Sequence, residues 1–577
     1  MKKKLLPALI VTGLIILVVI IMGITALINK YTPTKKTEDL KEYFNISSDD
    51  EAALIVDNEL SDYKAKIIDK KIYVDYKFVH DSLNSRFYWD ANENVLLYTT
   101  ASDIISAAAD SNSYSVTKQT NDFGYPIVKA TSDSALIALD YVKQYSNITF
   151  KSYDDPARIV ITSKWDEIDS ATVSKSTQIR VKGGIKSPIL KEVKKDDKIT
   201  ILDSGDKWDK VATEDGVIGY IKSKALSESK KNKLTNPDYE EETFTHIKKD
   251  KDICLAWNQV TSQSANSKVP QVISSTKGIN VMSPTWFYLN DNNGNLADIA
   301  SKDYVSYCHS QGIEVWGLFS NFENTDVDAA YVLTHTSTRT TLINQIMSAA
   351  FNYELDGVNI DFENITEAAY GDSYIEFIRE LAIKCHNNGI SLSVDVTVPA
   401  SFNKFFNRSD MANFADYIVI MGYDEHYKGS DAGSVSSIPW VTEGVESTLK
   451  EVPADQIILG MPFYTRIWEL TPKEDDDAVT DTEDQSKYTV ASQVYSMDAA
   501  AAQLATNNAT AALDEESGQN YAEWSVSNKL YKVWLEDNTS LENRLKLVDD
   551  NKLAGAAFWK LGFENSSVWD TVIKYLN

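Results

Sequence analysis

Residues Leu355–Asn364 read "LDGVNIDFEN", and polar and apolar side chains alternate along the stretch. Side chains two apart on a β-strand share a face, spaced by about 6.6 Å along a parallel strand. One face therefore carries Asn359, Asp361 and Glu363, while the opposite face carries only Val, Ile and Phe. Because the apolar face fits a covering layer of helices, the polar face is predicted to point into the interior of a closed sheet.

Seven further apolar strand candidates lie in residues 246–577, among them "ICLAWNQV", "GIEVWGLFSN", "ISLSVDVTVPA" and "GAAFWKLGFE". Helical patterns separate most of them, and after the fourth strand one apolar helix face is formed by Tyr374, Phe377, Ile378, Leu381, Ala382 and Cys385. Eight strands alternating with helices predict an α/β fold, a (β/α)8 TIM barrel. Within the long stretch before the last strand, "NYAEWSVSNKLYKVWLED" reads as a hairpin, which predicts an α+β insertion at about 470–536.

The two carboxylates of the opening stretch suit acid–base chemistry. Catalytic side chains of such barrels lie at the carboxyl ends of strands, and Glu363 is predicted to be the last residue of its strand. An ionised Asp361 beside it would raise the pKa of Glu363, as a general acid near neutral pH requires. A solvated turn is the alternative, but the strict alternation opposes it, and the stretch lacks the spacing of an EF-hand calcium loop.

These motifs together resemble glycoside hydrolase family 18, the chitinase and N-acetylglucosaminidase barrels. "DGVNIDFE" is similar to the family signature D-G-x-D-x-D-x-E, with Asn359 in place of the middle Asp. "MGYD" at Met421–Asp424 is similar to the sixth-strand motif, "GMPFY" at Gly460–Tyr464 to the seventh, and Trp559 lies in the eighth. The variant with Asn is most similar to the spore-cortex-lytic and germination branch, whose members act on peptidoglycan.

The resemblance implies a substrate-assisted, retaining mechanism. Glu363 would be the general acid and base, Asp361 would hold the acetamido N–H of the sugar, and Tyr423 would donate to its carbonyl oxygen. Asp424 would contact the same sugar, and Trp559 would stack beneath its ring.

Asn359 and Met421 complete the implied set as substrate-binding residues. The Tyr and Asp of "MGYD" could instead be ordinary loop residues, and the Trp of the eighth strand could be plain core. Asp356 lies an odd number of residues from Asn359, so its side chain is expected to point away from the barrel interior. It is predicted to be structural. Asn359 replaces the middle Asp of the family pattern. The charge relay between two acids is therefore expected to differ from that of ordinary chitinases.

The N-terminus is predicted to be a membrane anchor, residues 1–30. Its apolar run from Leu5 to Ile28 would reach about 36 Å as a helix, enough to cross a hydrocarbon core of about 30 Å. A cleaved signal peptide is the alternative, but the run is longer than usual and no A-x-A-like site follows. Because lysines flank the apolar run on both sides, their charge does not decide its orientation. We expect an outward-facing, single-pass protein of the cell membrane from the short N-terminal flank and the implied chemistry.

Four segments are predicted between the anchor and the barrel. After a stalk at 31–48, residues 49–170 contain two similar helix–strand–strand patterns, which resemble a duplicated β-α-β-β module named after copper amine oxidases. Residues 174–228 are short strands split by Gly and Asp turns, which predict a small all-β barrel and resemble the bacterial Src-homology-3-like domain. A cell-wall ligand or a spacer role is expected for it, and 229–245 is predicted to be linker.

The composition and the residue spacing argue against nucleic-acid binding, a disulfide framework and a metal site. A formal net charge of −27 opposes nucleic-acid binding. Cys254, Cys308 and Cys385 are too few for a disulfide framework and are predicted to be buried thiols. The six histidines show no zinc spacing, so no metal and no cofactor are expected.

We therefore expect an enzyme that cleaves β-1,4-linked N-acetylglucosamine in peptidoglycan. A chitinase or chitooligosaccharide hydrolase is the alternative within the same class. A non-catalytic glycan-binding wall protein is the alternative outside it, although the terminal acid, Glu363, is present.

Overall fold

The computed structural model describes residues 2–363, 365, 368–473 and 485–576. It divides into two compact units. The first unit comprises Met1–Trp89, Ala107–Tyr114 and Thr120–Glu241, and the second comprises Asp90–Ser106, Ser115–Gln119 and Glu242–Asn577.

The first unit begins with a long apolar helix, α1 (Lys2–Tyr31). Its segment Leu9–Tyr31 has a mean hydropathy of 2.9, and its large side chains are exposed. Within the described part of the chain it is the one helix long and apolar enough to cross a membrane. The predicted N-terminal apolar helix is therefore present.

One seven-stranded sheet of the first unit has the order β11-β12-β1-β2-β3-β10-β9. Its strands and the helices among them are α2 (Leu40–Tyr43), β1 (Glu51–Val56), β2 (Glu59–Ile68), β3 (Lys71–Asp75), α3 (Tyr76–Ser82), β9 (Val128–Ala130), β10 (Ala135–Ala138), α4 (Leu139–Gln144), β11 (Thr149–Tyr153) and β12 (Arg158–Thr162). Five further short strands are β4 (Phe87–Asp90), β5 (Val95–Thr99), β6 (Ile104–Ala108), β7 (Ser113–Val116) and β8 (Gln119–Asp122). β5 belongs to the second unit, and the residues of the other four are divided between the two units. The helix–strand–strand order is present at both predicted places, while the assignment to a duplicated module stays a prediction.

A second sheet of the first unit is antiparallel, in the order β15-β14-β18-β17-β16-β13-β19. Its strands are β13 (Glu167–Thr172), β14 (Thr177–Arg180), β15 (Ile189–Val193), β16 (Lys198–Asp203), β17 (Trp208–Thr213), β18 (Ile218–Lys222) and β19 (Lys230–Lys233). The first and last of these lie outside the predicted bounds of 174–228. The Src-homology-3-like assignment stays a prediction.

The second unit contains the predicted barrel of eight parallel strands. They are β20 (Ile253–Asn258), β21 (Val281–Leu289), β23 (Glu314–Ser320), β24 (Gly357–Asp361), β25 (Ser391–Thr397), β26 (Tyr417–Met421), β27 (Ile457–Pro462) and β33 (Gly555–Trp559), with β22 (Leu296–Asp298) antiparallel to β21. Neighbouring strands pair in chain order, and β20 pairs with both β21 and β33. These pairings close the barrel.

Helices cover the barrel strands and pack on their apolar outer faces. They are α5 (Val269–Val272), α6 (Lys302–Ser310), α7 (Ala329–Thr334), α8 (Thr336–Tyr353), α9 (Ala368–His386), α10 (Arg408–Phe414), α11 (Ile438–Thr448), α13 (Asn538–Asn551) and α14 (Val568–Tyr575), whereas α12 (Met497–Thr506) packs on the inserted sheet described below. All six residues of the predicted apolar face of α9 are fully buried. The three cysteines are buried free thiols, as predicted, and burial raises the pKa of Cys254 and Cys308 to about 12.

The floor of the barrel interior explains the glycine of the opening stretch. Trp316 lies inside the barrel and stacks on Tyr417 with ring centroids 5.6 Å apart. A Cβ on Gly357 would meet the indole ring of Trp316 at 2.5 Å. Since large aromatic rings fill the floor, polar side chains of β24 find room only nearer its carboxyl end.

A five-stranded antiparallel sheet lies between β27 and β33 in sequence, in the order β29-β28-β32-β31-β30. Its strands are β28 (Tyr464–Pro472), β29 (Tyr488–Ser496), β30 (Ala512–Asp514), β31 (Gln519–Val526) and β32 (Lys529–Leu535). The predicted hairpin is β31 and β32, where Trp524 stacks on Tyr531. Part of the predicted insertion, residues 474–484, lies outside the described residues.

A segment distant in sequence supports the helices beside β24. Asp90 is buried, and one of its carboxylate oxygens accepts hydrogen bonds from the backbone N–H and the hydroxyl of Thr336, each 2.6 Å long. Thr336 starts α8, whose own N-cap residue makes no side-chain cap bond. Thr99 also donates to Glu376 of α9 at 2.7 Å. The predicted barrel bounds of 246–577 leave this segment out.

We expect Asp90→Ala to lower the free energy of unfolding of the second unit by about 2 kcal/mol, because it removes a helix cap and leaves buried donors unpaired. Chemical denaturation followed by tryptophan fluorescence measures the change. Asp326→Ala, at an exposed position, is the control and should change stability by no more than about 0.5 kcal/mol. Equal effects of the two substitutions would contradict the capping role.

Candidate functional site

A cavity of about 420 Å³ lies at the carboxyl ends of the barrel strands. Six of the seven predicted site residues line it: Asp361, Glu363, Met421, Tyr423, Asp424 and Trp559. The seventh, Asn359, is not among the lining residues and is fully buried. The fold therefore brings together six side chains from β24, β26, β33 and the loops that follow them.

Asp361 ends β24 and is 7% exposed. Its Oδ1 is buried and has no hydrogen-bond partner among the described residues. Burial raises the pKa of Asp361 well above its usual value, and the nearby carboxyls of Asp395 and Glu363 raise it further. A buried acceptor without a donor is costly, so this oxygen is suited to receive an N–H or O–H from a ligand.

Glu363 lies two residues beyond the end of β24, so the prediction that it ends the strand was wrong. Asn321 fixes its backbone instead: its Oδ1 accepts from the Glu363 N–H at 2.9 Å, and its Nδ2 donates to the Glu363 carbonyl at 2.8 Å. Glu363 is exposed at the mouth of the cavity. These two hydrogen bonds hold the backbone of Glu363 in place.

Desolvation raises the pKa of Glu363, and the carboxylates of Asp424 and Glu323 raise it further. The predicted direction was right. The predicted partner, Asp361, interacts with Glu363 electrostatically, but desolvation and the carboxylates of the loops after β23 and β26, which the sequence did not indicate, also raise this pKa. A carboxyl with a raised pKa keeps its proton closer to neutral pH, as a general acid must.

Both polar atoms of the Asn359 side chain form hydrogen bonds with other residues of the protein. Its Oδ1 accepts from Trp257 Nε1 and Ser283 Oγ, each at 2.9 Å. Its Nδ2 donates to Ser393 Oγ at 3.0 Å and to Asp395 Oδ1 at 2.7 Å. The amide therefore lies beneath the cavity and organises four strands.

Tyr423 and Asp424 follow β26. Burial raises the pKa of Tyr423 well above its usual value, and nearby carboxyls add to this. The phenol therefore stays protonated and available as a donor. Asp424 is exposed, accepts a short hydrogen bond from the hydroxyl of Tyr464, and lies 3.9 Å from the guanidinium of Arg466.

Trp559 ends β33 and forms an aromatic wall with Trp257 and Tyr423. The Trp257 ring centroid lies 6.1 Å from that of Trp559 and 6.4 Å from that of Tyr423, both in edge-on geometry. Trp559 is half-buried. One face of an aromatic ring is the surface on which the apolar side of a sugar packs.

Asp356, predicted to be structural, does not line the cavity. Its Oδ2 accepts from the backbone N–H of Val315 and lies 2.8 Å from His309 Nε2. It therefore joins the starts of two neighbouring strands.

Sequence reasoning missed four residues of the site: Trp257, Asn321, Glu323 and Asp395. Asp395 is 3% exposed on β25 and lines the cavity. The stretch "SLSVDV" could have identified Asp395, because its polar residues alternate with apolar ones as in the opening stretch. The other three lie at strand ends without such a pattern.

The charge in the cavity is one-sided. Five carboxyls line it, and no Lys, Arg or His lines it among the described residues. No group of three or more His, Cys, Asp or Glu side chains in that part of the chain is placed to hold a metal ion. The arrangement suits proton transfer with a neutral ligand that brings its own N–H donor.

The sequence profile of Glycosyl hydrolases family 18 matches residues 217–564. The uncharacterized glycosylase YvbX of Bacillus subtilis is 24% identical over 302 residues, which span 49% of this chain and 81% of that protein. The cortical fragment-lytic enzyme of Bacillus subtilis is 24% identical over 287 residues, 48% of this chain and 63% of that enzyme.

Among solved structures, the spore cortex-lytic enzyme SleL of Bacillus megaterium QM B1551 aligns with a TM-score of 0.49 at 19% identity. The alignment covers 61% of this chain and 78% of that one. The profile match covers more than half of the chain, and the closed barrel described above is consistent with it. This chain belongs to Glycosyl hydrolases family 18.

Proposed function

We propose that this glycosidase cleaves β-1,4-linked N-acetylglucosamine in cell-wall peptidoglycan, with Glu363 as general acid and base. One observation carries the proposal: the unpartnered buried oxygen of Asp361 lies in the same cavity as a glutamate whose pKa is raised. A 2-acetamido sugar supplies the N–H that this oxygen lacks. It also supplies the carbonyl oxygen that replaces an enzyme nucleophile.

In the first step, the acetamido oxygen attacks the anomeric carbon while Glu363 protonates the leaving oxygen. The glycosidic bond breaks, and an oxazolinium ion forms on the sugar. In the second step, Glu363 takes a proton from water, which opens the oxazolinium ring and restores the acetamido group. The product keeps the β configuration because the anomeric carbon is attacked twice.

The other cavity residues bind and orient the sugar. Asp361 accepts the acetamido N–H, and the protonated phenol of Tyr423 donates to its carbonyl oxygen. Asp424 and Met421 contact the same sugar, and Trp559 stacks beneath the ring. Asn359, which the sequence suggested as a substrate contact, acts from below by orienting its neighbours.

The choice of peptidoglycan over chitin rests on the relatives, since one is named for lysis of cortical fragments. A chitinase or chitooligosaccharide hydrolase is the second candidate, because the same sugar and linkage occur in chitin. A glycan-binding protein without activity is disfavoured by the presence of Glu363 with a raised pKa.

For localisation, we propose that α1 anchors the protein by a single pass with the barrel outside the cell. Its 23-residue apolar segment has exposed side chains that match a lipid environment. A signal peptide passes the same test of length and composition. An outward barrel fits a cell-wall substrate.

Wall binding by the first unit is also a proposal. A cavity of about 730 Å³ in this unit is lined from both of its seven-stranded sheets, for example by Phe150 of β11 and Ile199 of β16. This volume falls within the range of ligand sites, about 300–1,000 Å³, which favours binding of a short segment of a wall polymer over a spacer role.

We expect Glu363→Gln to lower kcat by at least about a hundredfold, because the amide can neither donate nor accept the catalytic proton. Wild type and variant are incubated with purified peptidoglycan and with chitin oligomers, and new reducing ends are identified by mass spectrometry. Glu354→Gln, at an exposed position before β24, is the matched control and should retain activity.

Wild-type protein that releases nothing from any N-acetylglucosamine polymer would refute the enzyme proposal. Release from chitin alone would refute only the peptidoglycan proposal. Full activity in Glu363→Gln would refute the role of Glu363.

We expect Glu323→Gln to move the alkaline limb of the pH profile of kcat/KM to lower pH. The charge of Glu323 raises the pKa of Glu363, so removing it lowers that pKa. A general acid is active while protonated, and activity is then lost earlier as pH rises. Asp326→Asn lies in the same loop but does not line the cavity, so its profile should match wild type. An unmoved limb in Glu323→Gln would argue against this coupling.

A further inference from the structure

The two strands at the centre of the site place two buried carboxyls side by side. Asn359 of β24 pairs with Ser393 of β25 in the parallel register. The paired register runs to Ile360 and Val394, and Asp361 and Asp395 are the next residues on these two strands, which lie about 4.8 Å apart. Both side chains are more than nine-tenths buried and line the cavity.

The bonds of Asn359 make these two carboxyls unequal. Two donors, Trp257 Nε1 and Ser283 Oγ, both bind its Oδ1 and so fix which way the amide faces. Its Nδ2 must then point to β25, where it donates to Asp395 Oδ1 at 2.7 Å. Asp395 thus has an N–H donor, whereas Oδ1 of Asp361 has none among the described residues.

The groups around the pair are acidic or neutral. The carboxylates of Glu363 and Glu323 raise the pKa of Asp361 from the mouth, and Tyr423 lines the same cavity from the end of β26. The charges of Asp361 and Asp395 in turn raise the pKa of the buried Tyr374 of α9. No Lys, Arg or His lines the cavity within the described chain. Two adjacent carboxylates without a cation cannot both ionise cheaply, so the pair keeps one proton.

We propose that Asp395 is a positioning residue for Asp361, a second carboxylate that receives the proton of the pair when Asp361 binds the acetamido N–H. The inference rests on the proposed function and adds a residue to it. The acid that the opening stretch lacks at Asn359 is supplied by the neighbouring strand.

The proton moves only between two carboxyl oxygens. In the empty site it lies on Asp361, because Asn359 stabilises the charge on Asp395. When Asp361 binds the acetamido N–H, the proton passes to Asp395 and leaves the negative charge on Asp361, which then lies next to the positive ring as the oxazolinium ion forms. When water opens the ring, the proton returns, so no further donor or acceptor is consumed.

The test compares Asp395→Asn, Asn359→Asp and the double exchange N359D/D395N on whichever glycan the wild type cleaves. An amide at 395 cannot take the proton, so D395N should lose at least about tenfold in kcat with KM changed less than about threefold. N359D should be both inactive and less stable, because two carboxylates then meet where the N–H donor was. The double exchange restores one amide and one carboxylate, and Trp257 and Ser283 can donate to the carboxylate at 359. It should recover kcat to within about fivefold of wild type.

Asp416→Asn controls for lost stability. Asp416 is buried and bonds the backbone N–H groups of Ile247 and Leu392 away from the cavity. It should lower the melting temperature and leave kcat at low temperature unchanged.

Unchanged kcat in D395N would overturn the inference while leaving the proposed function intact. A double exchange no more active than D395N would also overturn it. If D395N does not fold, the double exchange decides alone: a folded, active protein supports the inference, and a folded, inactive one refutes it. A wild type inactive on every glycan overturns the proposed function and this inference with it.

Discussion

Carboxyl groups buried in a barrel interior without a compensating cation are the constraint on which the site depends. Removing water from a carboxylate disfavours its charged form, and each added carboxylate increases the cost. Asp361 and Asp395 have raised pKa values for this reason. At the mouth of the cavity, desolvation and the carboxylates of Asp424 and Glu323 raise the pKa of Glu363. The cavity therefore holds protons that it can donate, and it leaves one oxygen of Asp361 without a donor until a ligand supplies one.

The rest of the barrel keeps these groups in place. Large aromatic rings fill the floor and leave no room for a Cβ at Gly357. Above that floor, the amide of Asn359 joins β20, β21, β24 and β25 through four hydrogen bonds. Asn321 then holds the backbone at Glu363 from the neighbouring strand. The aromatic floor, the amide of Asn359 and the side chain of Asn321 each restrict the conformations of the residues above them. The backbone at Glu363 is therefore held in one position.

Much of this was predictable from sequence, because its causes are local. The two-residue alternation of "LDGVNIDFEN" identified the inward face, and the helical spacing after it identified the buried face of α9. The unpredicted contacts join residues far apart in the chain. Asn321 and Glu363, or Asp90 and Thr336, come into contact only when the chain folds. The residue spacing within a single segment cannot predict such contacts. The contributions of Asp424 and Glu323 to the raised pKa of Glu363 were missed for the same reason, since both residues come from other loops.

The central claim is that the sugar's own acetamido group, held by Asp361, takes the place of an enzyme nucleophile. The most direct measurement is the anomeric configuration of the first product, followed by proton NMR before mutarotation. The account predicts that the new reducing end appears first as the β anomer. Initial release of the α anomer would mean a single inverting attack by water, and it would contradict the account.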